Sequence, residues 1–331
     1  MVREKKLRVI DANLLFFIGA LIFLSGGAYF QHRELVSGLI ITQLGVVLAP
    51  PLLYLIIRKI NIKKALRINK ISLKHGILVG MITLLMYPVA VVANAIIMLL
   101  LSLMGNINVP QIPMPENTNE YVIMMLVVSL LAGFCEEVLF RGFVLSGYEP
   151  MGKKKAIIFS ALLFGFFHFN IYNLAGPVVL GLVFGYLVIL TDSLWAGVIG
   201  HMVNNGFAIT LSFIINYLSD ILSLNEATTV ETPEVSTTIA LLVSLITIGV
   251  IAIVTSMIAY KLVKIIKKDR QAIIENQKEE IIETDQSNVA DEKLLNEMNK
   301  TYPIEFFPLY LTAPLYVWMA GSQILRIIRM G

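Results

Sequence analysis

The sequence predicts an all-α membrane protein, a polytopic bundle of about eight transmembrane helices around a central polar cavity. Three observations predict it. Of 331 residues, 57% are hydrophobic and only 15% charged, with a mean hydropathy of +0.78; a soluble domain carries roughly 25% charged residues. Long apolar runs recur along the chain, and a run of about 20 residues spans a hydrocarbon core of about 30 Å. Five ionisable side chains, Glu136, Glu137, Arg141, His168 and His201, lie inside those runs. In hydrocarbon each is costly unless it pairs or lines a wet cavity.

The runs cover 14–30, 36–57, 76–104, 121–147, 156–169, 174–190, 194–218 and 237–262. The first follows a basic N-terminus (Arg3, Lys5, Lys6, Arg8) that resembles the charged start of a signal peptide. No small-x-small cleavage site follows, so it is expected to remain as a span. Pro50, Pro51 and Pro88 interrupt runs two and three. Runs five and six are short and joined only by Asn170-Ile171-Tyr172-Asn173, which suggests a hairpin that turns before the far surface. From Asp269 to Lys300 the chain is polar with mixed charges, as in a cytoplasmic helix or linker. Residues 304–328 turn apolar again, as a ninth span or an interfacial segment; Pro308 and Pro314 weigh against a straight helix there. Four regions follow: membrane helices in 1–120, the charged core in 121–218, a last core helix with its outer loop in 219–262, and a polar linker with an apolar end in 263–331.

The net charge of +3 matters less than its placement. Basic residues precede run one, recur from Arg58 to Lys74, at Lys153, Lys154 and Lys155, and from Lys261 to Lys268, and are absent from 105–120 and 219–236. The positive-inside rule then puts the N-terminus and the end of run eight in the cytoplasm. Basic residues at span ends, without a concentrated basic surface, exclude nucleic acid as a partner. The single cysteine, Cys135, excludes an intrachain disulfide. Beside two carboxylates it is also a poor nucleophile. No phosphate-binding glycine loop, CxxC or HExxH occurs.

Run four carries Glu136, Glu137 and Arg141. On a helix Glu137 and Arg141 are i, i+4 neighbours suited to an ion pair, and Glu136 projects about 100° away. Glu137 and Arg141 are therefore expected to support the site and Glu136 to do chemistry. Run five ends in His168, and run seven places His201 and Asn205 on one face. Counted from the span ends, Glu136 lies about 16 Å deep, His168 about 20 Å, and His201 and Asn205 about 14 and 20 Å. Three helices thus bring polar groups to one level. A carboxylate with two imidazoles suits general-base activation of water by Glu136 with His168. It equally suits one divalent metal such as zinc on His168, His201 and Glu136. Asn205, with His201, suits a developing oxyanion. Hydrolysis of an amide is the reaction these groups fit. An ion- or proton-coupled transporter using the same groups, and a non-catalytic immunity or scaffold protein keeping them as a polar knot, are the alternatives.

The three motifs, Glu136-Glu137…Arg141, Phe164…His168 and His201…Asn205, resemble EExxxR, FxxxH and HxxxN of the CAAX-protease and bacteriocin-processing (Abi) family of intramembrane proteases. They match in order over about residues 121–218. The resemblance implies an intramembrane endopeptidase with eight or so helices and a water-filled cavity. It implies that Glu136 and His168 activate water, that His201 and Asn205 stabilise the oxyanion, and that the mechanism is metallo- or glutamate-dependent. A peptide or membrane-protein substrate, the lipid bilayer as partner, and the plasma membrane of a bacterium are the expected setting.

Overall fold

Inside a bilayer a backbone must satisfy its own hydrogen bonds, and among the described residues every regular element is helical. The computed structural model describes residues 5–107, 115–221, 237–282 and 301–330. Its principal helices are α1 (Val9–Arg33), α2 (Leu35–Arg58), α3 (Leu73–Ser102), α4 (Thr118–Met151), α5 (Lys153–Phe167), α6 (Ala175–Thr191), α7 (Leu194–Ile221), α8 (Thr237–Ile282) and α9 (Phe307–Met330). The loops expected at 105–120 and 219–236 and the linker at 269–300 fall in part outside the described residues, at 108–114, 222–236 and 283–300.

The apolar runs overlap α1 to α8, but fewer qualify as spans than the sequence suggested. Among the described residues six helices are long and apolar enough to cross a membrane: α1 to α4, α7 over Leu194–Ser219, and α8 over Leu241–Glu275. Helices α5 and α6 have 15 and 17 residues, short of the roughly 20 a straight span needs. Helix α9 has 24 residues, but Gln323 and Arg326 dilute its apolar character. Helix α8 outruns its apolar stretch, because Lys, Glu, Gln and Ala beyond residue 262 are strong helix formers.

The prolines are accommodated. Pro50 and Pro51 fall in the first turn of the α-helical part of α2, after a π-helical segment, Thr42–Leu48. There a missing N–H costs little. Helices α3 and α9 run on through Pro88 and Pro314.

The core gathers round the second half of α4, where Phe140, Phe143, Val144, Leu145 and Tyr148 have no exposure. Helix α7 packs along the middle of α4, α5 lies against α6, and α9 lies along α1. Helices α3 and α8 pair along their length. Ile246, Val250, Ile253 and Met257 of α8 stand more than 60% exposed. So broad an apolar face is untenable in water and at home in lipid: the chain is an integral membrane protein. Glu137 and Arg141 are packed in the middle of the bundle without exposure, and a cavity of about 430 Å³ lies among residues 5–7, 60–65 and 146–153.

The α5–α6 connection positions the site and is held from both sides. Phe169 takes a left-handed conformation, φ 48°, which is strained for a bulky side chain and reverses the chain directly after His168. Gln323 of α9 donates to the Phe169 carbonyl (3.0 Å) and accepts from the Ile171 N–H (2.9 Å). From the other side Asn94 of α3 donates to Asn173 and accepts from the Gly176 N–H, both at 2.7 Å.

Candidate active site

Helix α4 supplies the carboxylates from a short α-helical stretch, Ala132–Glu137, between two π-helical segments, Met125–Leu131 and Val138–Val144. π-Segments inside α-helices are frequent at functional sites. Here they leave Glu136 part-exposed and Glu137 fully buried.

Glu137 does more than pair with Arg141. Its Oε1 lies 2.8 Å from Arg141 Nη1 and 2.9 Å from His201 Nδ1. One carboxylate oxygen thus joins the arginine of its own helix to the histidine of α7. The Arg141 contact is an ion pair off the hydrogen-bond line, and Nε and Nη2 meet no acceptor. The guanidinium is met instead by aromatic faces, Phe164 at 4.2 Å and Phe184 at 5.6 Å from their centroids, an arrangement that attracts a cation electrostatically. The same two rings flank His201, at 5.5 and 5.9 Å.

Two glycines make room. A Cβ on Gly197 would stand 2.4 Å from Glu137 Oε2, and one on Gly181 would stand 3.1 Å from Arg141 Nη2.

The hydrogen bonds fix proton positions on both imidazoles. His168 Nδ1 lies 2.9 Å from the Phe164 carbonyl. A carbonyl only accepts, so Nδ1 carries the hydrogen and Nε2 of the neutral ring has a free lone pair. His201 Nδ1 faces the Glu137 carboxylate in the same way, leaving Nε2 directed at Glu136 Oε2, 3.8 Å away. His201 Nε2 can therefore donate to an oxyanion only when the ring is protonated. The Phe164 ring meets both imidazoles, that of His168 at 5.0 Å and that of His201 at 5.5 Å between centroids.

Asn205 lies one turn beyond His201. Its amide donates to the Val128 carbonyl (2.9 Å) in the first π-segment, and its oxygen accepts from Asn204 (3.0 Å). A primary amide has two N–H donors, and one remains beyond the Val128 bond. Cys135 is buried.

The motifs pass over Gln43 of α2. Its Nε2 donates to Glu136 Oε1 at 2.7 Å, and its Oε1 is buried without a partner. The signal was present in the sequence as a carboxamide in an apolar run, of the same kind as Asn205, but no charge marked it.

Among the described residues no three His, Cys, Asp or Glu side chains are grouped to hold a metal.

Residues 118–207 match the family model described as "Type II CAAX prenyl endopeptidase Rce1-like". The chain is also 26% identical over 99 residues to YdiL of Bacillus subtilis (strain 168), whose name assigns it membrane peptidase activity by inference. That similarity covers 29% of this chain and 41% of the relative's length. No solved structure matches. The matched segment holds α4 to α7 up to residue 207 and all three motifs, and over it the chain is similar to the CAAX prenyl endopeptidases.

Proposed function

We propose that the protein is an intramembrane endopeptidase that hydrolyses a peptide bond in a peptide or membrane-associated protein, with Glu136 and His168 activating water. The observation that carries this reading is the meeting of Glu136 and His201, from α4 and α7, at 3.8 Å, with His168 of α5 held so that its Nε2 lone pair is free.

Water gives a proton to the Glu136 carboxylate or His168 Nε2 as its oxygen attacks the substrate carbonyl. His201 and the remaining Asn205 N–H stabilise the oxyanion. The tetrahedral intermediate collapses as the captured proton passes to the departing amine. Gln43 holds Glu136 Oε1 and leaves Oε2 on the His201 side. Every step runs on side chains and water. Positioned proton transfer of this kind contributes about 10²–10⁴-fold, and oxyanion donors about 10²–10³-fold each.

The test is cleavage of a panel of peptides, prenylated CAAX peptides included, by the purified protein. Glu136→Gln and His168→Ala are each expected to abolish cleavage while the protein still inserts and elutes as wild type. Cleavage retained in Glu136→Gln overturns the mechanism. Chelator treatment with metal analysis is expected to leave activity intact; loss on chelation with recovery on adding zinc would assign His168, His201 and Glu136 to a metal instead.

The substrate is expected to reach the site from the cytoplasm or from the lipid, with the N-terminus of the chain in the cytoplasm of a bacterium.

A further inference from the structure

The 430 Å³ cavity lies apart from the catalytic groups, where α1 begins, α2 ends and α4 passes into α5. Lys5, Lys6, Lys64 and Lys153 line it. The acid at its wall, Glu149, is already engaged by the Arg67 guanidinium. Lys5, Lys6 and Lys153 are exposed and make no ion pair with any described residue. Helix α5, 15 residues long, starts at this wall from Gly152 with no side-chain cap. Uncapped N–H groups and the positive end of the helix dipole favour an anion.

What surrounds the cavity says what carries the anion. It opens at span ends, the level of lipid headgroups. Its wall includes Leu7, Ile60 and Ala65. The last turns of α2, leading to Ile60, expose Leu53, Ile56 and Ile57, the last at 75%. A free phosphate has no use for that apolar track, whereas an acyl chain does.

We infer that this cavity is a binding site for the phosphate headgroup of an anionic phospholipid, held by Lys5, Lys6, Lys153 and the N-terminus of α5, with an acyl chain along the end of α2. Basic pockets between membrane helices on the cytoplasmic side take headgroups in this way. Lysines at span ends also report topology. A topological role needs no cavity, and it makes no distinction between lipids.

The full-length protein in detergent is titrated calorimetrically with short-chain phosphatidylglycerol, short-chain phosphatidylcholine and inorganic phosphate. Saturable one-to-one binding of phosphatidylglycerol, much weaker with phosphatidylcholine, is expected. Each lysine removed is expected to weaken it about fivefold, so Lys6→Ala with Lys153→Ala weakens it about 25-fold, and Lys6→Arg with Lys153→Arg retains it. Unchanged thermal unfolding separates these losses from misfolding. Affinity unaffected by the alanine pair, or equal for the two lipids, overturns the site. Inorganic phosphate binding as tightly as the lipid overturns the lipid assignment. None of these outcomes depends on peptidase activity.

Discussion

Glu137 shows how a single atom organises the site. Its Oε1 serves both Arg141 and His201. Removing one member of a buried charged pair costs about 3–5 kcal/mol, because the remaining charge is uncompensated. Glu137→Ala is therefore expected to lower stability on that scale, read by thermal unfolding, whereas Glu136→Gln changes activity without it. Gly197→Ala tests the same pocket from outside: its Cβ would stand 2.4 Å from Glu137 Oε2, and crowding of this kind costs about 1–3 kcal/mol. Gln43→Leu removes a hydrogen bond to the charged Glu136, and kcat is expected to fall about tenfold or more with the fold intact. At this scale the sequence was legible where charge and helical spacing spoke together. Glu136, Glu137, Arg141, His168 and His201 stood out by cost and the Glu137–Arg141 pair by register. The Glu137–His201 link and the Gln43 contact join helices far apart in the chain. No periodicity within one helix encodes them.

Among the elements, the turn between α5 and α6 carries the most consequence for its length. Phe169 reverses the chain immediately after His168, and Gln323 bonds both Phe169 and Ile171. Gln323→Ala leaves a backbone carbonyl and an N–H without their partner. Hydrogen exchange at Ile171 is expected to accelerate, and cleavage to fall while Glu136 and His201 keep their places. Unchanged exchange at Ile171 would show that Asn94 alone holds the turn. The sequence marked the hairpin through two short runs and a four-residue link. It gave no sign that residues 304–330 would return to bond it. The prolines there suggested a broken helix, yet Pro308 falls in the first turn of α9 and Pro314 is carried within it.

Across the whole molecule, composition was enough to place the chain in a membrane, and the all-helical architecture followed. The number of spans was less legible, because apolar runs mark burial in protein as readily as burial in lipid. Helices α5 and α6 are apolar and short; α6 packs its Leu187 and Val188 into the core, whereas α8 shows broad apolar faces to lipid. Accessibility of single cysteines in a Cys135→Ser background tests the orientation. Residues introduced at Lys6 and Lys154 are expected to react only with reagent on the cytoplasmic side. Labelling of Lys6 from the outer side would reverse the topology and move the basic cavity to the opposite leaflet.

The shared oxygen of Glu137 also bears on timing. His201 is oriented by Glu137 and lies between Phe164 and Phe184 before any substrate arrives. Ordering of that imidazole is therefore complete when the protein folds and is not repeated at each turnover. Such preorganisation aims a dipole at the place where charge develops without reorganisation during the reaction. A cleavage rate limited by substrate entry or product release, with little change on deuterating the solvent, is the kinetic behaviour this arrangement favours.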